Sequence, residues 1–137
     1  MNKNSIILDL DESWLIKPSN AMVTRCIVDH AFTIDIQDSA YMITIRMGTQ
    51  FVLAVNGNHK LISTDDVKAI GDALVVFNKR LNRGVAYSNG ALDLEFSDNI
   101  SIEVKPDEQY EAWELSVDDG TKLVSVPGGS LTIWGAT

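Results

Sequence analysis

The side chains in this sequence able to do chemistry are two histidines, one cysteine and nineteen carboxylates. His30 and His59 lie far apart, and neither has a second ligand at the spacing of an HExxH helix. Asp29 precedes His30 directly, which in a strand sends the two side chains to opposite faces and gives no catalytic pair. Cys26 sits within the alternating stretch Val23 to Val28, where a thiol reads as a small buried apolar group and not as a nucleophile. Being alone, it forms no internal disulfide. Pro127-Gly128-Gly129-Ser130 lacks the GK[ST] ending, the following helix and the basic neighbour of a phosphate loop, so it reads as a tight turn. No GxSxG elbow is present. The carboxylates remain. Glu111 with Glu114, or Asp93 with Glu103, are the residue types of an acid–base pair or a hard-cation site, and a carboxylate-dependent or metal-dependent hydrolase is the enzymatic alternative they support.

The distribution of these carboxylates is uneven. The 137 residues carry a formal net charge of −8, which argues against binding nucleic acid through phosphate neutralisation. Between Asp93 and Asp119 there are ten acidic residues and one basic residue, Lys105, whereas the rest of the chain holds nine acids and ten bases. The negative balance therefore belongs to one segment. No apolar run approaches the roughly 20 residues of a membrane-spanning helix, and Ile6 to Leu10 is too short and too soon followed by Asp11 and Glu12 to act as a secretory signal. The expectation is a cytoplasmic protein of one domain over residues 1–137.

Alternation with period two dictates how the acids are positioned. Phe32, Ile34 and Ile36 point one way, and Tyr41, Ile43 and Ile45 resume the apolar face after a loop. Leu92, Leu94 and Phe96, then Ile100, Ile102 and Val104, repeat the pattern. Arg46 to Phe51 aligns with Lys105 to Tyr110, and Lys60 to Ser63 with Lys122 to Ser125. The expected fold is mainly β (α+β): two similar antiparallel β repeats, about 23–63 and 83–134, packed as a sandwich or half-open barrel, with one helix of about 64–77 between them. Ser63 or Thr64 would cap the helix, with Val67, Ile70, Leu74 and Phe77 on its buried face. In the second hairpin, matching the apolar faces pairs Phe96 with Ile100 and places Asp93 opposite Glu103 and Glu95 opposite Ser101. Asn99 would take a left-handed turn conformation.

Like charges directly across a ladder cost stability. A solvated outer face that keeps the protein soluble is the plain account of them; a docking surface for a cationic partner is the sharper one, with the repulsion relieved on binding. Tyr110 and Trp113 lie inside the acidic stretch, and strand alternation puts them on opposite faces, so at most one is available as an interface anchor.

The run Tyr110-Glu111-Ala112-Trp113-Glu114-Leu115, with Leu123 to Gly129 and Trp134, resembles a family of small bacterial proteins classed only as a domain of unknown function. Gly90-Ala91-Leu92, Leu94, Phe96 and Asp98 extend the likeness over about Val23 to Gly135, leaving the first 22 residues outside it; Asn99 stands where a glycine is expected. The resemblance brings no catalytic residues with it. Small acidic proteins of this setting are often immunity proteins that neutralise a toxin.

The leading expectation is a non-enzymatic immunity protein that blocks a basic partner, a cognate toxin and possibly a nuclease, through Asp93, Glu95, Glu103, Asp107, Glu108, Tyr110, Glu111 and Trp113. It implies no cofactor, metal, nucleic acid or membrane. The alternatives are the hydrolase above and a structural module whose outer sheet face pairs with another copy.

Overall fold

The computed structural model describes residues 7–10 and 13–135. Ile6, Asp11 and Glu12, weighed above as parts of a leader, lie outside the described residues. Strands β1 (Ile7–Leu10) and β2 (Ser13–Ile16) form a hairpin, followed by β3 (Ala21–Val28), β4 (Phe32–Gln37), β5 (Met42–Met47), β6 (Gln50–Val55) and β7 (Asn58–Ser63). Helix α1 (Val67–Ala73) and a 3₁₀ turn (Leu74–Val76) lead into β8 (Arg80–Tyr87), β9 (Leu92–Phe96), β10 (Ile100–Val104), β11 (Trp113–Val117), β12 (Lys122–Val126) and β13 (Ser130–Trp134). Among the described residues the fold is mainly β with one short helix.

All the strands join one open antiparallel sheet in the order β13-β12-β11-β5-β4-β3-β8-β9-β10-β6-β7, with β2 alongside β8 and β1 beyond it. The pairing crosses between the halves of the chain. The β4–β5 hairpin is extended by β11 and β12, and the β9–β10 hairpin by β6 and β7. Alternation decides which face is buried: Phe32, Ile34 and Ile36 of β4, and Leu92, Leu94 and Phe96 of β9, all point inward. The sheet curls so that these inner faces meet. Phe32 on β4 stacks on Phe51 of β6, with ring centroids 5.6 Å apart, although the two strands are five steps apart in the sheet. One core therefore serves both arms.

The second hairpin has the register expected from its apolar faces: Phe96 pairs with Ile100, Asp93 with Glu103 and Glu95 with Ser101. Asn99 is left-handed at φ 58°, and so is Asp98 at φ 62°, which gives a tight turn of the hand that suits a twisted ribbon.

Two expectations need correction. The helix spans Val67–Ala73, capped by Asp66, whose Oδ1 accepts from the Ala69 N–H at 3.2 Å. Thr64 is drawn away from capping because its hydroxyl donates to the carbonyls of Thr49, at 2.7 Å, and Gly48, at 3.1 Å. The buried side chains are Ile70, Ala73 and Val76, whereas Val67, Leu74 and Phe77 face solvent. The tightening to a 3₁₀ turn explains why Val76 is buried and Phe77 is not, since three residues per turn stack Val76 under Ala73 in place of the helical i+4 position. The second correction concerns Gln109-Tyr110, expected within a strand. β11 begins only at Trp113, because the Asp107 carboxylate accepts from the N–H groups of Gln109 (2.8 Å) and Tyr110 (3.0 Å) and holds that stretch as a loop.

Asp38 fastens the connector between β2 and β3 to the β4–β5 turn. Its carboxyl, 4% exposed, accepts from the Ser19 N–H and hydroxyl, each at 2.9 Å, and from the Ser39 hydroxyl at 3.1 Å. Burial alone favours the protonated form, but these bonds, with one from the Asn20 N–H, outweigh it and hold the pKa below the ordinary 3.8. A depressed folded-state pKa means that the stabilisation is complete above the unfolded-chain value and is lost as the pH falls through the folded one. Asp38→Asn is therefore expected to cost about 1–3 kcal/mol at neutral pH and to flatten the acid limb of the stability profile, read from urea midpoints across the acid range. An unchanged acid limb would refute this role.

Candidate functional site

The strand order divides the acidic segment. Asp93, Glu95 and Glu103 stand on the outer face of β9 and β10, while Glu114 stands on β11 in the other arm. Asp93 and Glu103 are directly opposed, and Asp93 accepts from the Tyr87 hydroxyl at 3.1 Å. Burial, together with the charge of Asp93, pushes the Tyr87 phenol up. Glu95 lies across from Arg83, with its Oε2 3.4 Å from Nη1. Asp98 is 2.6 Å from Lys79 Nζ. Glu114 faces Arg46 on β5 and pairs with Lys122 on β12 at 2.6 Å. A hydrogen bond and charge from Glu114 raise the Lys122 pKa, and the same ammonium lies 6.0 Å from the Trp134 ring centroid. Cations from neighbouring strands thus already offset part of the ladder.

A second group of the expected residues comes together in the crossover from β10 to β11. Asp107, Tyr110 and Glu111 line a cleft of about 620 Å³ together with Arg46, Gln50, Thr64 and Asp65. Glu108 is exposed beside it. Tyr110 is 63% exposed and is positioned by the Asp107 turn, which the Gly128 N–H ties to the β12–β13 turn by a 2.9 Å bond to the Asp107 carbonyl. Gly48, also in the lining, ties the two sides of the chain together, its N–H donating to the Ala112 carbonyl at 2.9 Å. Arg46, Gln50 and Asp65 were not singled out in the sequence; they come from the first half of the chain and reach the cleft only through the β5–β11 pairing.

Trp113 corrects the expected interface. It is 1% exposed, with its indole N–H donating to the Gly90 carbonyl at 2.8 Å, so it is a core residue and offers no surface to a partner. Its strand position turns it inward beside Met47, its partner on β5. Among the described residues no three His, Cys, Asp or Glu side chains converge. Cys26 is half-buried against the core; burial, and then the neighbouring charge of Asp35, push its thiol up, which disfavours the thiolate.

Residues 13–135 match a family of unknown function, DUF6188. The chain belongs to this family. No curated protein and no solved structure matches it. The matched span includes the acidic crossover, the Trp113 strand and the Pro127–Gly129 turn. It also begins earlier than the sequence resemblance implied, at Ser13, for a visible reason: β2 pairs along β8, and Ile16, 1% exposed, lies over Gly84, where an added Cβ would stand 2.6 Å from its Cδ1. The β2 strand of this chain thus lies within the matched span.

Proposed function

We propose that this DUF6188 protein is a non-enzymatic binding module of the cytoplasm that docks a basic protein through its acidic crossover, and that its role is that of an immunity protein covering the active site of a basic toxin. The observation that supports this reading is Tyr110: a large aromatic side chain, mostly exposed, carried between Glu108 and Glu111 on a turn in which the Gln109 and Tyr110 N–H groups both donate to the Asp107 carboxylate. Leaving such a ring in water forgoes burial, and an anchor whose backbone is already fixed loses less entropy when a partner covers it. The adjoining cleft, with three carboxylates (Asp65, Asp107 and Glu111) against one cation (Arg46) in its lining, supports the docking of a cationic side chain beside the ring. The outer Asp93–Glu103 pair adds a long-range attraction that speeds encounter.

The same reading treats the chain as two copies of one β unit in a half-open barrel. The order β12-β11-β5-β4-β3-β8-β9-β10-β6-β7 reads the same from its other end once β3 to β7 are exchanged with β8 to β12. In that alignment Trp113 takes the place of Phe51, and the longer β10–β11 crossover is what the second copy has added.

Binding to the product of the neighbouring gene tests the function. A complex is expected at low salt, weakening as salt rises. Tyr110→Ala and Glu111→Lys should each weaken it by about 30-fold, the scale of a hot spot, whereas reversing Asp93, Glu95 and Glu103 to Lys should mainly slow association. A complex indifferent to all of these substitutions, or none at all, removes the proposal. A hydrolase is the second reading, favoured only by the concavity beside Asp107 and Glu111; turnover by the isolated chain that Glu111→Gln abolishes would establish it instead.

A further inference from the structure

The sheet is open, and one of its ends is β7. Its register with β6, with Val55 on Asn58, Leu53 on Lys60 and Phe51 on Ile62, and the 2.9 Å bond from the Thr64 N–H to the Thr49 carbonyl, assign the ladder bonds to the even-numbered residues. The peptide groups of His59 and Leu61 therefore point away from the sheet. Edges of this kind are normally guarded by a bulge, a proline or an outward lysine. Here the ladder is regular, proline is absent from β7, and the one lysine, Lys60, is turned to the inner side, where it pairs with Asp72 of α1. Leu61 is left on the outer face at 61% exposure.

We propose that two copies of this chain join edge to edge through β7, antiparallel, with the two-fold axis at Leu61, forming one sheet that runs through both. Charge and register select this occupant. The chain is acidic overall, but Asn58 to Ser63 contain no acid, so this edge is a place where two copies approach without opposing carboxylates. With Leu61 opposite its own copy, Lys60 faces Ile62 and His59 faces Ser63. Shifting the axis to Lys60 sets two ammonium groups directly against each other, which is unfavourable. The row across the outer face runs Glu103, Val52, Leu61, so the joined rows put four apolar side chains at the centre and keep the two Glu103 carboxylates at the far ends. On the inner side both α1 helices fall on the same side of the joined sheet, where Val75 lines a shallow groove with Leu53 and Val55 along the same edge.

Sedimentation of the full chain over a range of concentrations and salt decides the matter. A dimer is expected that strengthens with salt, because screening weakens the repulsion between two acidic copies. Leu61→Lys, at an exposed position, should leave the circular dichroism unchanged and weaken the dimer on the order of tenfold or more. In a Cys26→Ser background, Leu61→Cys should oxidise to a covalent dimer, since paired Cα atoms about 5.5 Å apart suit a disulfide, whereas His59→Cys should not. A monomer at every concentration, a dimer that Leu61→Lys leaves intact, or cross-linking at His59→Cys as ready as at Leu61→Cys, would overturn the proposal.

Discussion

Trp113→Ala is expected to lower the free energy of unfolding by about 3–5 kcal/mol, the cost of removing a fully buried aromatic side chain from a packed core. The ring is the largest of the fully buried side chains and does two things at once. Its surface fills the inner face of β11 next to Met47, and its N–H reaches out of that arm to the Gly90 carbonyl in the turn between β8 and β9. Ser125 on β12 donates to the same carbonyl at 2.8 Å. Two side chains of one arm therefore hold one peptide group of the other, which fixes how far the sheet curls. Trp113→Phe separates the two contributions: it keeps most of the apolar volume and loses the hydrogen bond, so about 1 kcal/mol is expected. Urea unfolding with an unchanged slope measures both. A loss for Trp113→Ala no larger than that for Trp113→Phe would mean that the ring does not pack as described.

Gly90→Ala is expected to cost about 2–5 kcal/mol, combining backbone strain with overpacking. Gly90 has φ +93°, a conformation that side chains rarely adopt, and an added Cβ would stand 2.9 Å from Ser125 Oγ and 3.1 Å from both Pro106 Cβ and the Ser130 carbonyl oxygen. A serine hydroxyl can rotate away, but the Ser130 oxygen belongs to the backbone of a paired strand and cannot. The control is Gly120→Ala. Gly120 has nearly the same φ, +98°, but nothing within 4 Å of the added carbon, so only the conformational term of about 1–2 kcal/mol applies. Because Gly90 and Trp113 act through one carbonyl, Gly90→Ala combined with Trp113→Phe should cost less than the two separately. Equal losses at Gly90 and Gly120 would show that the crowding around Gly90 has no energetic weight.

Parts of this architecture are legible in the residues alone because they depend on a single strand or a single turn. The face on which Leu92, Leu94 and Phe96 lie follows from their spacing, and the partner of each acid in the β9–β10 hairpin follows from requiring two apolar faces to coincide. The helix is less legible. Its seven residues and 3₁₀ end go with the burial of Ile70, Ala73 and Val76 in the shared core, and a β-branched pair such as Val75-Val76 is compatible with several conformations. The Tyr110 loop is harder still, because Gln109-Tyr110 copies the strand pattern of Gln50-Phe51, and only the Asp107 side chain diverts it.

The candidate site belongs to the last group. Which residues are acidic and where they crowd along the chain was plain, but whether they crowd in space depends on which strands become neighbours. The chain's alternation determined a β-rich domain, an inward apolar face and an outward carboxylate pair at Asp93 and Glu103. Tertiary structure alone decided that β11 pairs with β5 and β10 with β6, that Arg83, Lys79 and Lys122 meet particular acids, that Arg46 and Asp65 complete the cleft at Tyr110, and that Trp113 is core. The physical reason is that a side chain's face is a local property with period two, whereas the choice of neighbouring strand is made by the packing of one shared core, to which residues far apart in the chain contribute together.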